Sequence, residues 1–471
     1  MPSQLFARKP VEAFQRDLSD EQHSLKRALG PIDLTLLGIG GIIGTGIFVL
    51  TGVAARQDAG PAVVASFALA GVVSALAALC YAEFATLLPI SGSAYSYAYA
   101  TLGELFAWII GWDLVIEYAV AASTVASGWS GYFGKILGQL GLELPVAMSV
   151  GAFAGHGGFL NVPALGIILL VSALLVIGVR ESASFNSFIV VLKTAVILYV
   201  IAAGVGYVVP ANWSPFMPFG WNGVVAGAGL VFFAYIGFDS VTTAAEEARR
   251  PERDMPIGII GSLAICTLLY IAVSAVITGM VPLPQIDKTA PLAQAFLDVG
   301  LSVAASLISA GAIIGLTSVL LVLLYGQSRI FFAMSRDGLL PPMFSRLHPR
   351  FRTPHLSQVL VGVLVATAAA IFPLEELARF VSIGTLAAFV MVSIGVIALR
   401  RSAPDLHRPF RCPGVPAVPI ACILACFYLM SGLGLVTWLR LGLWLLIGLA
   451  IYGFYGRLHS RVAGHAAAAA S

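Results

Sequence analysis

Five ionisable side chains lie inside long apolar stretches of this sequence. They are Lys193, Glu117, Asp113, Asp239 and Glu83. A charge in an apolar environment is costly, so such residues are normally paired or take part in function. A buried lysine also releases its proton readily, because desolvation disfavours the ammonium form. Lys193 and Glu117 are therefore candidates for holding and moving protons, with a permanently paired structural role as the alternative for each.

The other three acids have simpler structural explanations. Asp239 can cap the start of a helix segment, and Glu83 and Asp113 are expected to fasten helices to neighbouring loops. Cys422 and Cys426 share a helix face, but no histidine or acid accompanies them as a metal site would require. The sequence predicts no metal, no cofactor, no nucleotide loop and no nucleophile–base set typical of an enzyme.

Two glycine-containing motifs interrupt apolar segments that are far apart in the chain. The first reads GIGGIIGTGIF over residues 38–48, and the second reads FFAYIGFDS over residues 232–240. Glycine costs about 1 kcal/mol relative to alanine inside a helix, so several in one turn favour unwinding. Unwound backbone at membrane depth is tolerated only where it lines a cavity or is buried in protein. Close helix packing through small residues is the alternative.

Such a break offers both groups that a zwitterion needs. The amides of Gly44, Thr45 and Gly46 would open the second half of the first broken helix, whose positive dipole end favours a carboxylate. Unpaired carbonyls at the second break suit an ammonium group; they belong to Phe233, Ala234 and Ile236. Three aromatic residues are candidates to line or gate the pocket, with plain packing as the alternative; they are Phe233, Tyr235 and Phe238.

The composition places the whole chain in a membrane. Of 471 residues, 59% are hydrophobic and 10% are charged, whereas soluble domains carry about a quarter charged residues. Lysine and arginine are spread over short loops, so the sequence lacks the clustered basic face of a nucleic-acid-binding protein. The polar first 33 residues have no cleavable signal and are expected to form a cytosolic tail.

Charge-free stretches of roughly 20 residues, the length that crosses a bilayer, predict twelve spans. They lie at 34–55, 59–82, 105–134, 162–179, 186–209, 223–245, 256–281, 300–328, 356–373, 380–399, 415–439 and 441–456. Residues 84–103 are interpreted as an amphipathic connector with tyrosines at the membrane interface. Most lysines and arginines fall on one side of these spans, which predicts that both termini are cytosolic. We therefore expect a multi-pass protein of the plasma (inner) membrane.

The two breaks lie in span 1 and span 6, five spans apart. Because five is odd, the second half enters the membrane inverted, and paired interrupted helices favour a binding site near the midplane. The predicted fold class is all-α integral membrane, a five-plus-five inverted repeat with two extra helices. The predicted divisions are a tail at 1–33, repeats at 34–209 and 223–399, spans 11 and 12 at 415–456, and a cytosolic tail at 457–471.

These segments resemble the amino acid–polyamine–organocation superfamily, specifically bacterial members of the cationic amino acid transporter family. The matching motifs are LGIGGIIGTGIFVLTG, CYAEFATLLPISGSAYSYAYATLGELFAWIIGWDLVIEY, FFAYIGFDSV with EEARRPERDMPIGII, and SRIFFAMSRDGLLP. The resemblance implies the leucine-transporter-type fold. It also implies that Lys193 acts as a tethered cation bracing span 1 against span 8. The substrate-binding residues that we predict are Ile42, Ile43, Gly44, Thr45, Gly46, Phe233, Ala234 and Ile236. The resemblance implies that the carbonyl groups of Ile42 and of the second break bind the amino group of the substrate.

The resulting hypothesis is a secondary active transporter that carries L-amino acids with protons by alternating access. An amino acid exchanger and a non-transporting amino acid sensor are the alternatives. Neutral substrates are favoured over cationic ones because spans 8 and 10 contain no acid, which leaves Glu117 as the expected nearby carboxylate. The expected partners are the substrate, the proton and membrane lipids, without nucleic acid; a small membrane subunit is left open.

Overall fold

The chain is built from helices. The computed structural model describes residues 29–87, 93–155, 157–178 and 183–460, so most of both predicted tails lies outside the described residues. Within these ranges the backbone forms helices and two isolated bridges, without a strand. The side of the molecule on which the first helix begins, predicted to be cytosolic, is called the inner side below.

Fifteen labelled helices make up the described fold. They are α1 (Pro31–Ile42), α2 (46–59, α- and π-helical turns), α3 (Val63–Leu87), α4 (Ser93–Thr101), α5 (Glu104–Gln139), α6 (Val162–Ile177), α7 (Ala183–Gly204), α8 (Gly220–Tyr235, ending in a 3₁₀ turn), α9 (Pro251–Met280), α10 (Pro291–Asp298), α11 (Ser302–Arg336), α12 (His355–Ile371), α13 (Leu374–Ser402), α14 (Ala417–Ser431) and α15 (Leu435–His459). Short α-helical turns lie at Val146–Ser149 and Ser240–Thr243, and several 3₁₀ turns connect the helices.

Seven helical stretches in the described ranges are long and apolar enough to cross a membrane. They are Gly46–Leu87, Glu104–Gln139, Asn186–Tyr207, Pro251–Met280, Ser302–Arg336, Leu374–Ser402 and Leu435–His459. Gly60, with φ of 64°, separates α2 from α3 inside the first stretch. The shorter apolar helices, of 10–17 residues, are α1, α6, α8, α12 and α14. The regular structure of the described residues is therefore helical, with seven stretches long and apolar enough to span a membrane.

Both predicted helix breaks are present. Helix α1 ends at Ile42, Ile43 is extended, and helical structure resumes at Gly46. Helix α8 ends in the 3₁₀ turn Phe232–Tyr235, followed by an extended Ile236. Helical structure resumes there only at Ser240.

The connector between α3 and α5 differs from its prediction. Its tyrosines were expected at the membrane interface, but Tyr95 and Tyr99 in α4 are buried in the protein. Their hydroxyls have carboxylate partners inside the fold, since Tyr95 donates to Asp337 at 2.7 Å and Tyr99 donates to Glu104 at 3.1 Å. These internal acceptors explain why the side chains do not need the interface.

Glu83 fastens α3 to the inner end of α13 and the loop beyond it. Its side chain is 1% exposed and accepts two 2.9 Å hydrogen bonds from Arg400. It also accepts one from the amide of Cys412 at 2.8 Å, and the Arg408 guanidinium lies 3.2 Å away. Because several donors satisfy one buried carboxylate, this cluster has the structural role that the sequence suggested for Glu83.

Replacing Glu83 by Gln should destabilise the protein strongly. Removing one partner of a buried ion pair leaves the opposite charge uncompensated, which typically costs about 3 kcal/mol or more. Glu376→Gln is the matched control, because Glu376 pairs with Arg440 at 2.7 Å but is 42% exposed, where an ion pair contributes about 0–1 kcal/mol. The free energy of unfolding in mixed detergent micelles measures both. Equal losses for the two variants would contradict the structural role of Glu83.

Candidate functional site

A cavity of about 310 Å³ lies between the two helix breaks. Its wall is formed by the broken segments together with α5, α7 and α11. The lining residues that the sequence analysis had named are Ile42, Gly44, Thr45, Gly46, Glu117, Phe233, Ile236 and Asp239. Ile43, Ala234, Tyr235 and Lys193 are not part of the described cavity wall. The cavity reaches toward the inner side as far as Leu37 and Asn186.

The two breaks interlock at two close contacts. A Cβ atom on Gly46 would overlap the backbone of Ala234, so the start of α2 lies directly against the 3₁₀ turn of α8. Gly237 has a φ of 110°, which L side chains rarely adopt, and a Cβ there would come within 2.6 Å of the Gly41 carbonyl oxygen. Glycine at these two positions therefore permits the backbones to approach closely enough to form one site.

The start of α2 presents unsatisfied polar groups to the cavity. Amides in the first turn of a helix have no intrahelical acceptor, and the positive end of the helix dipole favours an anion. Thr45 is fully buried and lines the cavity, and its hydroxyl has no hydrogen-bond partner among the described residues. These groups together suit a carboxylate.

Lys193 lies behind the first break, on the side facing α11. Its ammonium group donates to the carbonyl oxygens of Gly40 at 2.6 Å and Ile43 at 3.0 Å. The aliphatic stem passes Gly315 of α11, where an added Cβ would come within 2.8 Å of it. The cation therefore sits between the C-terminal end of α1, where a positive charge is favoured, and α11.

Two carboxyl groups line the cavity, where the sequence analysis had expected Glu117 to be the only nearby acid. Asp239 also lines the cavity, and its carboxyl group is close enough to that of Glu117 for the two to interact electrostatically. Within the described residues, the turn beginning at Ser240 shows no capping bond from the Asp239 side chain, so the expected capping role is not observed.

Direct helix packing closes the cavity on the outer side. Gly128 of α5 lies against Thr45 and Val49, where a Cβ would come within 3.0 Å of both side chains. One turn further out, the Tyr132 hydroxyl donates to the Phe48 carbonyl at 2.6 Å. Helix α5 therefore contacts α2 directly and separates the cavity from the outer surface.

Three consecutive side chains at the outer end of α2 bond to other elements. Arg56 donates to the carbonyl of Ile286 at 2.9 Å, and Gln57 donates to Glu375 at 3.0 Å. Asp58 accepts two bonds from Arg379 of α13 at 2.7 and 2.8 Å, and both side chains are largely buried. We call Arg56, Gln57 and Asp58 with these partners the outer latch.

A neighbouring ion pair links α5 to the loop before α10. Lys135 lies 3.2 Å from Asp287. Burial opposes ionisation of Asp287, but the amides of Thr289 and Ala290, the Thr289 hydroxyl and the Lys135 ammonium outweigh it and hold the pKa below its ordinary value of 3.8. A lowered pKa contributes stability that is present above the ordinary value and is lost as the pH falls through the folded-state pKa. This contact therefore persists at neutral pH.

Several residues at the site were missed by the sequence analysis. Tyr118, Asn186 and Tyr325 line the cavity, and Tyr270 of α9 donates a hydrogen bond to the Ile42 carbonyl at 2.7 Å. A tyrosine in the middle of an apolar span signals that its hydroxyl needs a buried acceptor. The identity of that acceptor, 228 positions away, has no sequence signature.

Known transporters resemble this chain along nearly its whole length. The family described as amino acid permease matches residues 29–450. The methylthioribose transporter of Bacillus subtilis (strain 168) is 51% identical over 97% of this chain and 99% of its own length. The branched-chain amino acid permease BcaP of the same organism is 50% identical over 98% and 100%. The vacuolar cationic amino acid transporter 4 of Arabidopsis thaliana is 34% identical over 97% and 96%.

Replacing Gly46 by Ala should disrupt the site, whereas the same change at Gly44 should be tolerated. The new methyl group at position 46 would overlap the backbone of Ala234, and overpacking of this kind costs about 1–3 kcal/mol. At Gly44 the nearest atom to an added Cβ is a methyl of Val319 at 3.6 Å, an ordinary contact. Melting temperature and uptake of labelled alanine in proteoliposomes measure both effects. Similar behaviour of the two variants would show that the interlock does not form.

Loss of the ion pair in the outer latch should favour an outward-open conformation. Asp58→Asn should lower the stability of the closed conformation relative to the outward-open one by about 1 kcal/mol. This corresponds to roughly a fivefold change in the ratio of the two conformations. A cysteine introduced at Val125, in the cavity wall, should then react faster with a membrane-impermeant thiol reagent applied outside. Glu376→Gln, which breaks the exposed pair with Arg440, is the control. Unchanged labelling after Asp58→Asn would contradict the latch.

Proposed function

We propose that this chain, which belongs to the amino acid permease family of the amino acid–polyamine–organocation superfamily, is a secondary active transporter of L-amino acids. The observation that carries the proposal is the cavity between the interlocked breaks. One side of this cavity has the amides in the first turn of α2 and the Thr45 hydroxyl. Phe233 and Ile236, where α8 ends, form the other side. A zwitterion fits this arrangement of opposite polarity.

The architecture that we propose is twelve spans in a five-plus-five inverted repeat with two appended helices. The breaks in α1–α2 and in α8 support it, because they fall in corresponding positions of the two halves. We place the protein in the plasma membrane with both termini in the cytosol, on the distribution of lysine and arginine. The closed outer latch and the extension of the cavity to Asn186 are consistent with a conformation closed to the outside.

Proton coupling through Lys193 is part of the proposal. The protonated lysine braces the end of α1 through the carbonyls of Gly40 and Ile43 and packs on α11 at Gly315. Deprotonation removes the charge that makes these bonds strong, which frees α1 to move. Glu117, with Asp239 beside it, supplies a second place for a proton at the substrate cavity. Exchange of one amino acid for another is the alternative that shares the same site.

Neutral amino acids are the substrates that we favour, with cationic ones second. The cavity wall contributed by α5 and α11 carries aliphatic side chains; they are Ala121, Val125, Val319, Val322 and Leu323. Glu117 and Asp239 are available to a cationic side chain only if they are not engaged with each other. One relative is named a branched-chain amino acid permease, which supports a neutral substrate. Another is named a methylthioribose transporter, so methylthioribose is a competitor to test.

Uptake into proteoliposomes tests this proposal. Labelled alanine and leucine should enter faster with an inward proton gradient, without a need for sodium, and excess arginine or methylthioribose should compete weakly. Lys193→Met keeps the aliphatic stem against Gly315 but cannot carry charge, so uptake should persist at a lower rate and lose its dependence on the gradient. Lys288→Ala is the control, because Lys288 lies on the outer surface and is 38% exposed.

The outcomes separate the alternatives. Uptake that requires amino acid inside the vesicles and ignores the proton gradient would make the protein an exchanger and Lys193 a structural residue. Arginine competing better than leucine would show that an acid in the cavity faces the substrate side chain. Binding of alanine without uptake under any gradient would favour a sensor over a transporter.

A further inference from the structure

Tyr270 connects the two broken helices. It lies in the middle of α9, is fully buried, and packs its ring against Phe67 and Tyr235. Its hydroxyl lies 2.7 Å from the Ile42 carbonyl oxygen at the end of α1 and 3.1 Å from the Ala234 carbonyl oxygen in the 3₁₀ turn of α8. The hydroxyl has a single proton to donate, so it bonds one carbonyl at a time and is shared between the two breaks.

The end of α1 is therefore held from two sides. The carbonyls of Gly40 and Ile43 accept hydrogen bonds from Lys193. The Ile42 carbonyl accepts one from Tyr270. The last carbonyls of a helix have no intrahelical donor, and at membrane depth no water replaces one. Donors on α7 and α9 satisfy these groups and determine where the carbonyls point.

We propose that Tyr270 is a positioning residue that orients the Ile42 and Ala234 carbonyls and couples them to Lys193, an inference that rests on the proposed amine site. A carbonyl oxygen has two lone pairs, so Ile42 can accept from the tyrosine and from a substrate ammonium group together. Movement of residues 40–43 when Lys193 changes its bonds shifts Ile42, and the shared hydroxyl transmits that shift to α8. Substrate affinity and the state of Lys193 are thereby linked through one side chain.

Tyr270→Phe tests the role with minimal change in packing. The variant keeps the ring and removes only the hydroxyl, which leaves the Ile42 carbonyl without this donor. Loss of a buried hydrogen bond that orients a binding group should raise KM for alanine about tenfold, with a smaller effect on kcat. Tyr452→Phe is the control, because Tyr452 is also buried and donates at 2.9 Å to Glu104, at positions that do not line the cavity. Its KM should stay within about twofold of the wild type.

A double-mutant cycle tests the coupling. Binding of labelled alanine to purified wild type, Tyr270→Phe, Lys193→Met and the double variant gives the interaction between the two positions. We expect the double variant to bind no more than about threefold more weakly than the weaker single variant, because both changes release the same segment. The cycle of Tyr452→Phe with Lys193→Met should be additive. Melting temperatures of all variants, expected to lie close together, separate an effect on binding from unfolding.

The result that overturns the inference is a Tyr270→Phe variant whose KM equals that of Tyr452→Phe, or additive effects of Tyr270→Phe and Lys193→Met. Either result in a protein whose wild type takes up alanine contradicts the role of Tyr270 alone and leaves the transport proposal intact. A wild type that binds neither alanine nor leucine contradicts the proposed function, and with it the assignment of Tyr270 to an amine site.

Discussion

Backbone polar groups at the breaks must find partners where the bilayer offers no water, and much of the structure follows from that constraint. Helix α1 ends at Ile42 inside the protein, so its final carbonyls need donors from elsewhere. Lys193 and Tyr270 reach them from α7 and α9. Each donor also ties its own helix to the break, so a local requirement for hydrogen bonds becomes a tertiary connection among three helices.

The same constraint explains why two separate breaks form a single cavity. Unwound backbone is stable in a membrane only if it is buried or lines a polar space, and here each break buries part of the other. Gly46 lies on Ala234, and Gly237 lies on Gly41. Residues of both breaks line one cavity, and we propose that amides of the first break and carbonyls of the second bind the substrate there. A site of backbone groups distinguishes poorly among side chains, so the surrounding aliphatic wall carries the discrimination that we propose.

Apolar packing and polar contacts both lie on the outer side of the cavity. Toward the outer side, α5 packs directly on α2, and the outer latch adds the ion pair of Asp58 with Arg379 and two hydrogen bonds. Toward the inner side the cavity continues to Asn186 at the start of α7. Charged contacts can be broken by water that enters as helices separate, whereas apolar packing supports a closed state without a specific geometry. The combination suits a gate that must open and close reversibly.

The sequence by itself determined the membrane class, the helical segments and the position of both breaks, because apolar run length and glycine clustering are local properties that the bilayer makes decisive. It also singled out Lys193, whose cost in an apolar span is visible without a structure. It did not predict the buried tyrosines of α4, the Asp239 side chain beside Glu117, or the Tyr270 bridge. Those depend on which helices become neighbours, and contacts between residues hundreds of positions apart are decided by tertiary packing, not by local composition.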